Sequence, residues 1–318
     1  MSWVRDSNLT WIQRFAVRVI RCGPIPEHVA FIMDGNRRFA TKTHLKSKTD
    51  GHVKGFDKLA EALQWCLDVG IKEVTVYAFS IENFKRSKDE VETLIQLAKE
   101  KFAKLMEEKD KLNERGICIR IVGNMSMLPI ELQQIMAEAI LLTKDNCRAI
   151  LNVAFAYTSR DEITESIRSI CNGVNDKELD VDDISEELIR RCMYTNKSPD
   201  PDLLVRTSGE SRLSDFMLYQ CSTTVIYFSE TLWPEFTIWH LLGAIIYYQQ
   251  NKRTMSVARK HLNNYVAKPA PNTDSERVEA FVNQFEKRRI DHLENLVRNA
   301  KSNRSFDINE SNENEISS

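Results

Sequence analysis

The stretch HVAFIMDGNRRFA, residues 28–40, indicates the fold class and carries the most suggestive chemistry in the chain. Residues 29–33 are all apolar, which is typical of a strand covered on both faces. The strand ends at Asp34, and Gly35, Asn36, Arg37 and Arg38 follow at once, with a helix predicted to begin near Asn36. A core strand that ends in a carboxylate and two guanidinium groups suggests that these charges bind something.

The rest of the chain repeats this alternation of strand and helix. Further strands are predicted at 73–79, 117–122, 150–157, 203–208 and 225–228, and helices at 51–70, 88–115, 129–145, 159–172 and 237–250. Such alternation implies right-handed crossovers between parallel strands. We therefore expect an α/β fold with a mainly parallel central sheet of about six strands covered by helices, and helical extensions at both ends.

Four regions are expected along the chain. An amphipathic helix occupies 1–22, a central domain 23–251 and a helical extension 252–302, with a linker at 268–275. The last stretch, 303–318, is rich in Ser, Asn and Glu and is expected to be disordered.

Composition excludes several classes of function. The net charge of -2 gives no global attraction to nucleic acid, so no nucleic-acid partner is expected and any anion site must be local. The seven scattered cysteines form no zinc or redox motif and are typical of a reduced, cytosol-facing protein. No GxGxxG, GxxxxGK[ST], HExxH or GxSxG motif is present, which argues against nucleotide, metalloprotease and serine-hydrolase sites.

The N-terminal helix is amphipathic. Its apolar residues recur at helical spacing, and three arginines lie between them: Trp11, Ile12, Phe15, Val19 and Ile20, with Arg14, Arg18 and Arg21. This pattern suits a helix that lies on a membrane surface. A helix that covers the protein's own core would show the same pattern, and both readings stay open.

Asp34 and the two arginines favour a magnesium–diphosphate site. The start of a helix and two guanidinium groups suit a phosphate, and Mg²⁺ is commonly held by one or two carboxylates together with substrate phosphates. The alternative is that Asp34 merely caps the helix.

Two other loops follow strands and should reach the same sheet edge, where ligands bind in parallel sheets. In PDLLVRTSGESRLSDF (201–216), Arg206, Arg212 and Ser214 surround the turn at Gly209 and could hold a second phosphate. In YAFSIENFKRS (77–87) the polar residues are Ser80, Glu82, Asn83 and Arg86. A solvated turn and a helix cap are the structural alternatives, and His52, at a helix start, is also more often structural.

Six motifs in order resemble the cis-prenyltransferases, also called the undecaprenyl/dehydrodolichyl diphosphate synthase family. They are FIMDGNRRFA, GHVKG, YAFSIENFKRS, LNVAFAYTSRDEI, RTSGESRLSDF and LWPEF. The resemblance covers about residues 24–250 and is specific, because long motifs agree in order and spacing. It implies an undecaprenyl diphosphate synthase-like fold, with residues 23–251 as the catalytic domain.

The resemblance implies a transferase that adds isopentenyl diphosphate units to an allylic substrate such as farnesyl diphosphate, with Mg²⁺ as cofactor. Asp34 would handle the metal, and Asp34, Asn83 and His52 would be the catalytic residues. The remaining site residues would bind the two diphosphates: Gly35, Asn36, Arg37, Arg38, Ser80, Arg86, Arg206, Arg212 and Ser214. The helices at 51–69 and 88–115 are expected to wall an apolar tunnel for the product.

Two departures from the bacterial pattern resemble the two-subunit eukaryotic enzymes, which make dehydrodolichyl diphosphate for dolichol synthesis and protein glycosylation. Val225 stands where bacterial members carry an acidic, metal-related residue, and the chain ends in NENEISS rather than an Arg-x-Gly motif. The resemblance implies a catalytic subunit with a non-catalytic partner related to the Nogo-B receptor, on the cytosolic face of the endoplasmic reticulum in peripheral contact with the membrane. The alternative is a non-catalytic subunit, or a lipid- or diphosphate-binding scaffold, of the same fold.

Overall fold

The computed structural model describes residues 3, 5–45, 47–266 and 273–316, without side chains at 48, 49, 263, 265, 266 and 301–316. Within these residues six strands form one sheet in which every neighbouring pair is parallel, in the order β3-β4-β2-β1-β5-β6. The strands are β1 (His28–Ile32), β2 (Glu73–Ser80), β3 (Ile117–Val122), β4 (Ala149–Tyr157), β5 (Leu203–Arg206) and β6 (Val225–Phe228). The expected α/β fold is confirmed.

Helices connect the strands and extend the chain at both ends. They are α1 (Trp11–Ile20), α2 (Asn36–Lys42), α3 (Lys48–Val69), α4 (Lys88–Glu107), α5 (Lys109–Arg115), α6 (Ile130–Thr143), α7 (Ser159–Asn175), α8 (Glu186–Cys192), α9 (Ile238–Val266) and α10 (Ser275–Ile316).

Several predicted ends were wrong. β1 stops at Ile32 because the N–H of Asp34 turns back to the carbonyl of Ile32 at 3.0 Å. The helix predicted over 88–115 is two helices that meet at Glu108, whose carboxylate accepts a hydrogen bond from the N–H of Trp3 at 3.0 Å. α9 runs past the predicted end at 250 to Val266, since no glycine or proline interrupts 244–266.

β1 is one of the two central strands, and all five of its residues are buried. Phe31 lies in register with Val76 on one side and Val205 on the other, and its ring packs on Trp233 at 5.8 Å between centroids. Burying a side chain of this size contributes roughly 1.5–3 kcal/mol to folding. The centre of the sheet is therefore a rigid base for the loops that leave it.

The register also gathers the carboxyl ends of three strands. Ile32 at the end of β1 lies opposite Tyr77 of β2 and Arg206 of β5. The loops that begin at Asp34, Ser80 and Arg206 therefore leave the same edge, as the sequence predicted.

The first part of α10 docks on α7 and α8. Arg277 donates to both oxygens of buried Asp183 at 2.5 and 2.9 Å, and Phe281 packs where a Cβ at Gly173 would lie only 2.5 Å from its ring. The helix runs to Ile316, beyond the predicted start of the tail at 303. Most of the predicted linker and the last two residues lie outside the described residues, so the division into regions stays a prediction.

α1 has an exposed apolar face. Its start is fixed by a capping box between Thr10 and Gln13, and Val17 is its buried residue. Trp11 and Phe15 are 76% and 64% exposed, and Ile12 and Val19 also face solvent. Within the described residues no helix carries an apolar run long enough to cross a bilayer.

Candidate active site

A cavity of about 870 Å³ opens at the carboxyl edge of the sheet. Charged and polar groups line its mouth, and apolar side chains of α3 and α4 line its interior. All twelve residues selected from the sequence line it: Asp34, Gly35, Asn36, Arg37, Arg38, His52, Ser80, Asn83, Arg86, Arg206, Arg212 and Ser214. Their roles stay predictions, but their assembly at one place is a property of the structure.

An ion pair between Asp34 and Arg206 forms the centre of the mouth. Arg206 Nη2 donates to Asp34 Oδ2 at 2.9 Å, and the N–H of Gly35 donates to Oδ1 at 2.7 Å. Burial alone would raise the pKa of Asp34, but the hydrogen bonds from Arg206 and Gly35 outweigh it and hold this pKa below its usual value. Asp34 is therefore ionised near neutral pH.

Gly35, at φ +105°, is the N-cap residue that immediately precedes α2, and it has no side chain to cap the helix. The alternative that Asp34 caps this helix is therefore wrong. Arg38 reaches back from α2 and donates to the carbonyl of Ser208 at 2.9 Å, with Nη2 3.8 Å from Asp34 Oδ2. The carboxylate thus lies between one arginine of α2 and one of β5.

Two glycines of α3 allow α2 to approach closely. A Cβ at Gly51 would lie 2.3 Å from the carbonyl oxygen of Asn36, and a Cβ at Gly55 would lie 2.2 Å from Asn36 Oδ1. Asn36 Oδ1 is itself buried without a hydrogen-bond partner. The GHVKG motif therefore fixes the position of the loop that carries the arginines.

Arg206 holds the turn that follows β5. Its side chain is nearly inaccessible, at 3% exposure, and Nη1 donates to Ser214 Oγ at 2.8 Å and to the carbonyl of Arg212. The Arg212 side chain faces solvent and pairs with Glu210 at 2.5 Å. One buried guanidinium and one exposed guanidinium therefore border the second predicted phosphate site.

The loop after β2 contains a helix cap, which was the structural alternative proposed for this loop from the sequence. Ser80 and Asn83 form a capping box on the short 3₁₀ turn Ile81–Lys85, with Ser80 N donating to Asn83 Oδ1 at 3.0 Å. Both residues still line the cavity. A capping role and a substrate role are compatible here, because the box leaves the Asn83 amide N–H groups outside its two hydrogen bonds.

His52 is a neutral, partly buried imidazole in the cavity wall. Burial, followed by the positive charge of Arg86, lowers the pKa of His52 to about 4. Its Nε2 is buried and has no hydrogen-bond partner. A ligand could fill that unmet hydrogen bond.

Two carboxylates that the sequence reading missed organise the arginines. Glu90 of α4 lies 2.7 Å from Arg86 and 3.7 Å from Arg37, and Glu210 lies between Arg212 and Arg38, 3.5 Å from the latter. Glu90 stands four residues after Arg86, a spacing that predicts a helical ion pair. No spacing rule links Arg37 or Arg38 to these carboxylates.

The interior of the cavity is apolar, as expected for a tunnel. Leu59 of α3 and Leu94 and Phe102 of α4 line it. Trp3 closes it from the N-terminal side, packing edge-on to Phe56 at 4.5 Å between centroids and donating from Nε1 to the carbonyl of Lys101 at 2.7 Å. Trp3 also borders a second, small apolar cavity of about 50 Å³.

The residues at the mouth fit a magnesium ion that arrives with a diphosphate. No group of three or more histidine, cysteine or acidic side chains suited to a metal occurs in the described part of the chain. Mg²⁺ usually keeps several waters and takes only one or two protein carboxylates, the rest coming from substrate phosphate. The ionised, partly exposed Asp34 would supply that carboxylate.

Val225 lies away from this site. It pairs with Leu203 at the amino end of β5, three residues or about 10 Å of strand from Arg206. The sequence reading treated position 225 as metal-related. The register shows that valine there removes no ligand from Asp34 within this chain.

Comparison with known proteins identifies the family. A family model described as "Putative undecaprenyl diphosphate synthase" matches residues 32–256. The dehydrodolichyl diphosphate synthase complex subunit DHDDS of Homo sapiens is 52% identical over 259 residues, 81% of this chain and 78% of that protein. A tritrans,polycis-undecaprenyl-diphosphate synthase (geranylgeranyl-diphosphate specific) of Pyrococcus horikoshii is 42% identical, over 76% of this chain and 90% of that one.

Solved structures agree. Lavandulyl diphosphate synthase from Lavandula x intermedia, crystallised with dimethylallyl diphosphate, superposes with a TM-score of 0.66 at 34% identity, over 71% of this chain and 95% of that one. A probable undecaprenyl diphosphate synthase from Campylobacter jejuni gives 0.56 at 28% identity, over 71% and 96%. With the sheet, the cavity and the matched motifs, these similarities show that the chain belongs to the undecaprenyl diphosphate synthase family of cis-prenyltransferases.

Proposed function

We propose that this chain elongates farnesyl diphosphate with successive isopentenyl diphosphate units, forming cis double bonds, to give a long-chain dehydrodolichyl diphosphate for dolichol synthesis and protein glycosylation. The observation that carries the proposal is the Asp34–Arg206 pair, 2.9 Å apart, at the charged mouth of a deep apolar cavity. A diphosphate head and an isoprenoid tail require that combination of surfaces. The names of the relatives support the same reaction class.

The allylic diphosphate is assigned to the loop of Gly35, Asn36, Arg37 and Arg38. Breaking the allylic C–O bond moves negative charge onto the departing diphosphate. The guanidinium groups of Arg37 and Arg38 stabilise this charge more in the transition state than before it, which lowers the barrier. Mg²⁺, held by Asp34 and the diphosphate, would supply further charge neutralisation when bound.

The isopentenyl diphosphate is assigned to Arg206, Arg212 and Ser214. Binding each substrate by its diphosphate places the two reacting carbons together, which turns a bimolecular encounter into an effectively intramolecular one. His52 and Asn83 line the cavity and are assigned to substrate activation and placement. The neutral His52 offers a hydrogen bond without adding charge.

A partner subunit, related to the Nogo-B receptor, is proposed to complete the enzyme. Three relatives are themselves described as complex subunits. In support, β6 is an edge strand of the sheet, and large apolar side chains beside it on α9 are exposed, notably Trp239, Ile246 and Tyr247. Co-expression with the partner should raise turnover at least tenfold over the chain alone, and equal rates would contradict this part of the proposal.

Peripheral contact with the endoplasmic reticulum membrane, from its cytosolic face, is proposed for α1. The exposed Trp11 and Phe15 form the apolar contact, and Arg14 and Arg18 stand beside them to meet lipid phosphates. Replacing Trp11 and Phe15 by serine should abolish co-sedimentation with liposomes. Undiminished binding would assign the helix another role.

Incorporation of radiolabelled isopentenyl diphosphate into farnesyl diphosphate tests the central proposal. The full chain, co-expressed with its partner and supplied with Mg²⁺, should form long products, and Arg212→Ala should chiefly raise KM for isopentenyl diphosphate. No incorporation by the wild-type complex would favour the alternative, a non-catalytic scaffold of the same fold. The intact loop from Asp34 to Arg38 and the names of the relatives argue against that alternative.

A further inference from the structure

Tyr77 of β2 places a phenol group against the isopentenyl side of the cavity, and the proposed reaction has given it no role. Its hydroxyl lies 3.2 Å from the carbonyl oxygen of Ser214 and 3.1 Å from that of Tyr157. Its ring stacks on Phe216 with 4.4 Å between centroids and 15° between planes. Tyr77 thus contacts the turn after β5 through both its ring and its hydroxyl.

That turn is held in an unfavourable backbone conformation. Ser214, Asp215 and Met217 all have positive φ, at +51°, +60° and +48°. Residues with a Cβ adopt this region rarely, so the surrounding contacts must impose it. One such contact comes from Ser159, whose N–H donates to the carbonyl of Asp215 at 2.7 Å.

The conformation matters because it aims Ser214 at Arg206. The hydroxyl of Ser214 is 2.8 Å from Nη1 of Arg206, the same guanidinium that binds Asp34. If the turn relaxed to an ordinary backbone conformation, Ser214 would leave the guanidinium. The geometry of the second diphosphate site therefore depends on what keeps this turn in place.

We propose that Tyr77 is a positioning residue for isopentenyl diphosphate: its hydroxyl holds the Ser214 carbonyl, and thereby keeps the strained turn in its binding conformation. The inference rests on the proposed function, because it assumes that Arg206 and Ser214 bind this substrate. It assigns Tyr77 no contact with the reacting carbons.

The hydroxyl is suited to donate in this way. Burial raises the pKa of Tyr77 to about 12, so the group keeps its proton throughout the range in which the enzyme would work. Its single proton is shared between the backbone carbonyls of Ser214 and Tyr157, neither of which can itself donate. A phenylalanine at this position would preserve the ring stack and lose the donor alone.

The test compares Tyr77→Phe with Tyr219→Phe in the full chain co-expressed with its partner. Tyr219 follows the same turn, but its hydroxyl bonds to Glu186 at 3.2 Å, outside the site. Tyr77→Phe should raise KM for isopentenyl diphosphate about twofold to tenfold, the range expected for one lost hydrogen bond. KM for farnesyl diphosphate and kcat should change little, the melting temperature should fall by no more than about 2–4 °C, and the kinetics of Tyr219→Phe should match the wild type.

Calorimetric titration with isopentenyl diphosphate provides a second readout that does not need turnover. Weaker binding by Tyr77→Phe, with a melting temperature no more than about 2–4 °C below that of the wild type, would support positioning. An unchanged KM and an unchanged binding constant would overturn the inference alone. A wild-type complex that neither binds nor incorporates isopentenyl diphosphate would overturn the proposed function, and the inference with it.

Discussion

Replacing Gly51 by alanine should move the loop that carries Arg37 and Arg38 without removing any charged group. The new Cβ would lie 2.3 Å from the carbonyl oxygen of Asn36 and 3.0 Å from Cβ of Ala40. Because the first of these is a backbone atom, no side-chain rotation relieves the contact. α2 must shift away from α3, and Arg37 and Arg38 shift with it.

The size of the effect follows from two opposing terms. Removing a glycine from a helix gains up to about 1 kcal/mol. Overpacking a close contact costs typically about 1–3 kcal/mol. The net loss should be on the order of 1 kcal/mol, which lowers the melting temperature of a domain this large by about 2–4 °C. The effect on catalysis should be larger, since a displacement of about 1 Å can cost about 100-fold in rate.

Gly243→Ala is the matched control. Gly243 also lies inside a helix, but a Cβ there would meet nothing nearer than the Tyr227 hydroxyl at 4.0 Å. Thermal unfolding and isopentenyl diphosphate incorporation at varied farnesyl diphosphate would be measured on both variants. The control should be as stable as the wild type or slightly more so, with an unchanged KM for farnesyl diphosphate. Only stability and this KM are compared, because Gly243 lies between Trp239 and Tyr247 on the face of α9 proposed to meet the partner. If Gly51→Ala behaved like the control, the close approach of α2 would not position the allylic site.

Three other changes test separate parts of the site. Asp34→Asn keeps the shape but removes the charge, so incorporation should fall at least about 100-fold with a folded chain, and a loss under tenfold would refute its assigned role. The folded-state pKa of His52, about 4, lies below its unfolded value near 6.5. Between these values the unfolded chain binds a proton at His52 and the folded chain does not, so the contribution of neutral His52 to the free energy of unfolding is complete above pH 6.5 and is lost as the pH falls toward 4. His52→Gln should flatten the unfolding free energy across that window, and a slope equal to wild type would contradict the burial of a neutral imidazole. Trp3→Ala should open the end of the cavity and lengthen the products seen by chromatography. An unchanged product distribution would mean that another part of the cavity limits the length of the isoprenoid product.

Local patterns in the sequence were sufficient to predict the sheet. The apolar run before Asp34 and the glycines and prolines that end helices are local signals, and each predicted strand appears within two residues of its place. The edge at which the site lies followed from strand direction alone. Even so, the pairing of Asp34 with Arg206 depends on β1 lying beside β5, a register that no short stretch encodes.

The parts that were missed depend on contacts between distant residues. The helix break at Glu108 coincides with its hydrogen bond to Trp3, 105 residues earlier. The carboxylate of Glu210 reaches Arg38 across 172 residues of sequence. The neighbours of Val225 are likewise set by strand pairing and not by its distance from LWPEF, since it lies opposite Leu203 at the amino end of β5.

The position of β1 in the sheet has a consequence for synthesis of the chain. Its partner β5 is translated about 170 residues later, and Asp34 and Arg206 are 172 residues apart. At about 5–20 residues per second, the ribosome needs roughly 10–30 seconds after β1 to synthesise β5, the strand that pairs with the second edge of β1. During this interval an apolar strand with one bare edge is exposed in the nascent chain. We expect chaperone binding to be concentrated there, and a stall before residue 203 to yield aggregated rather than partly active protein.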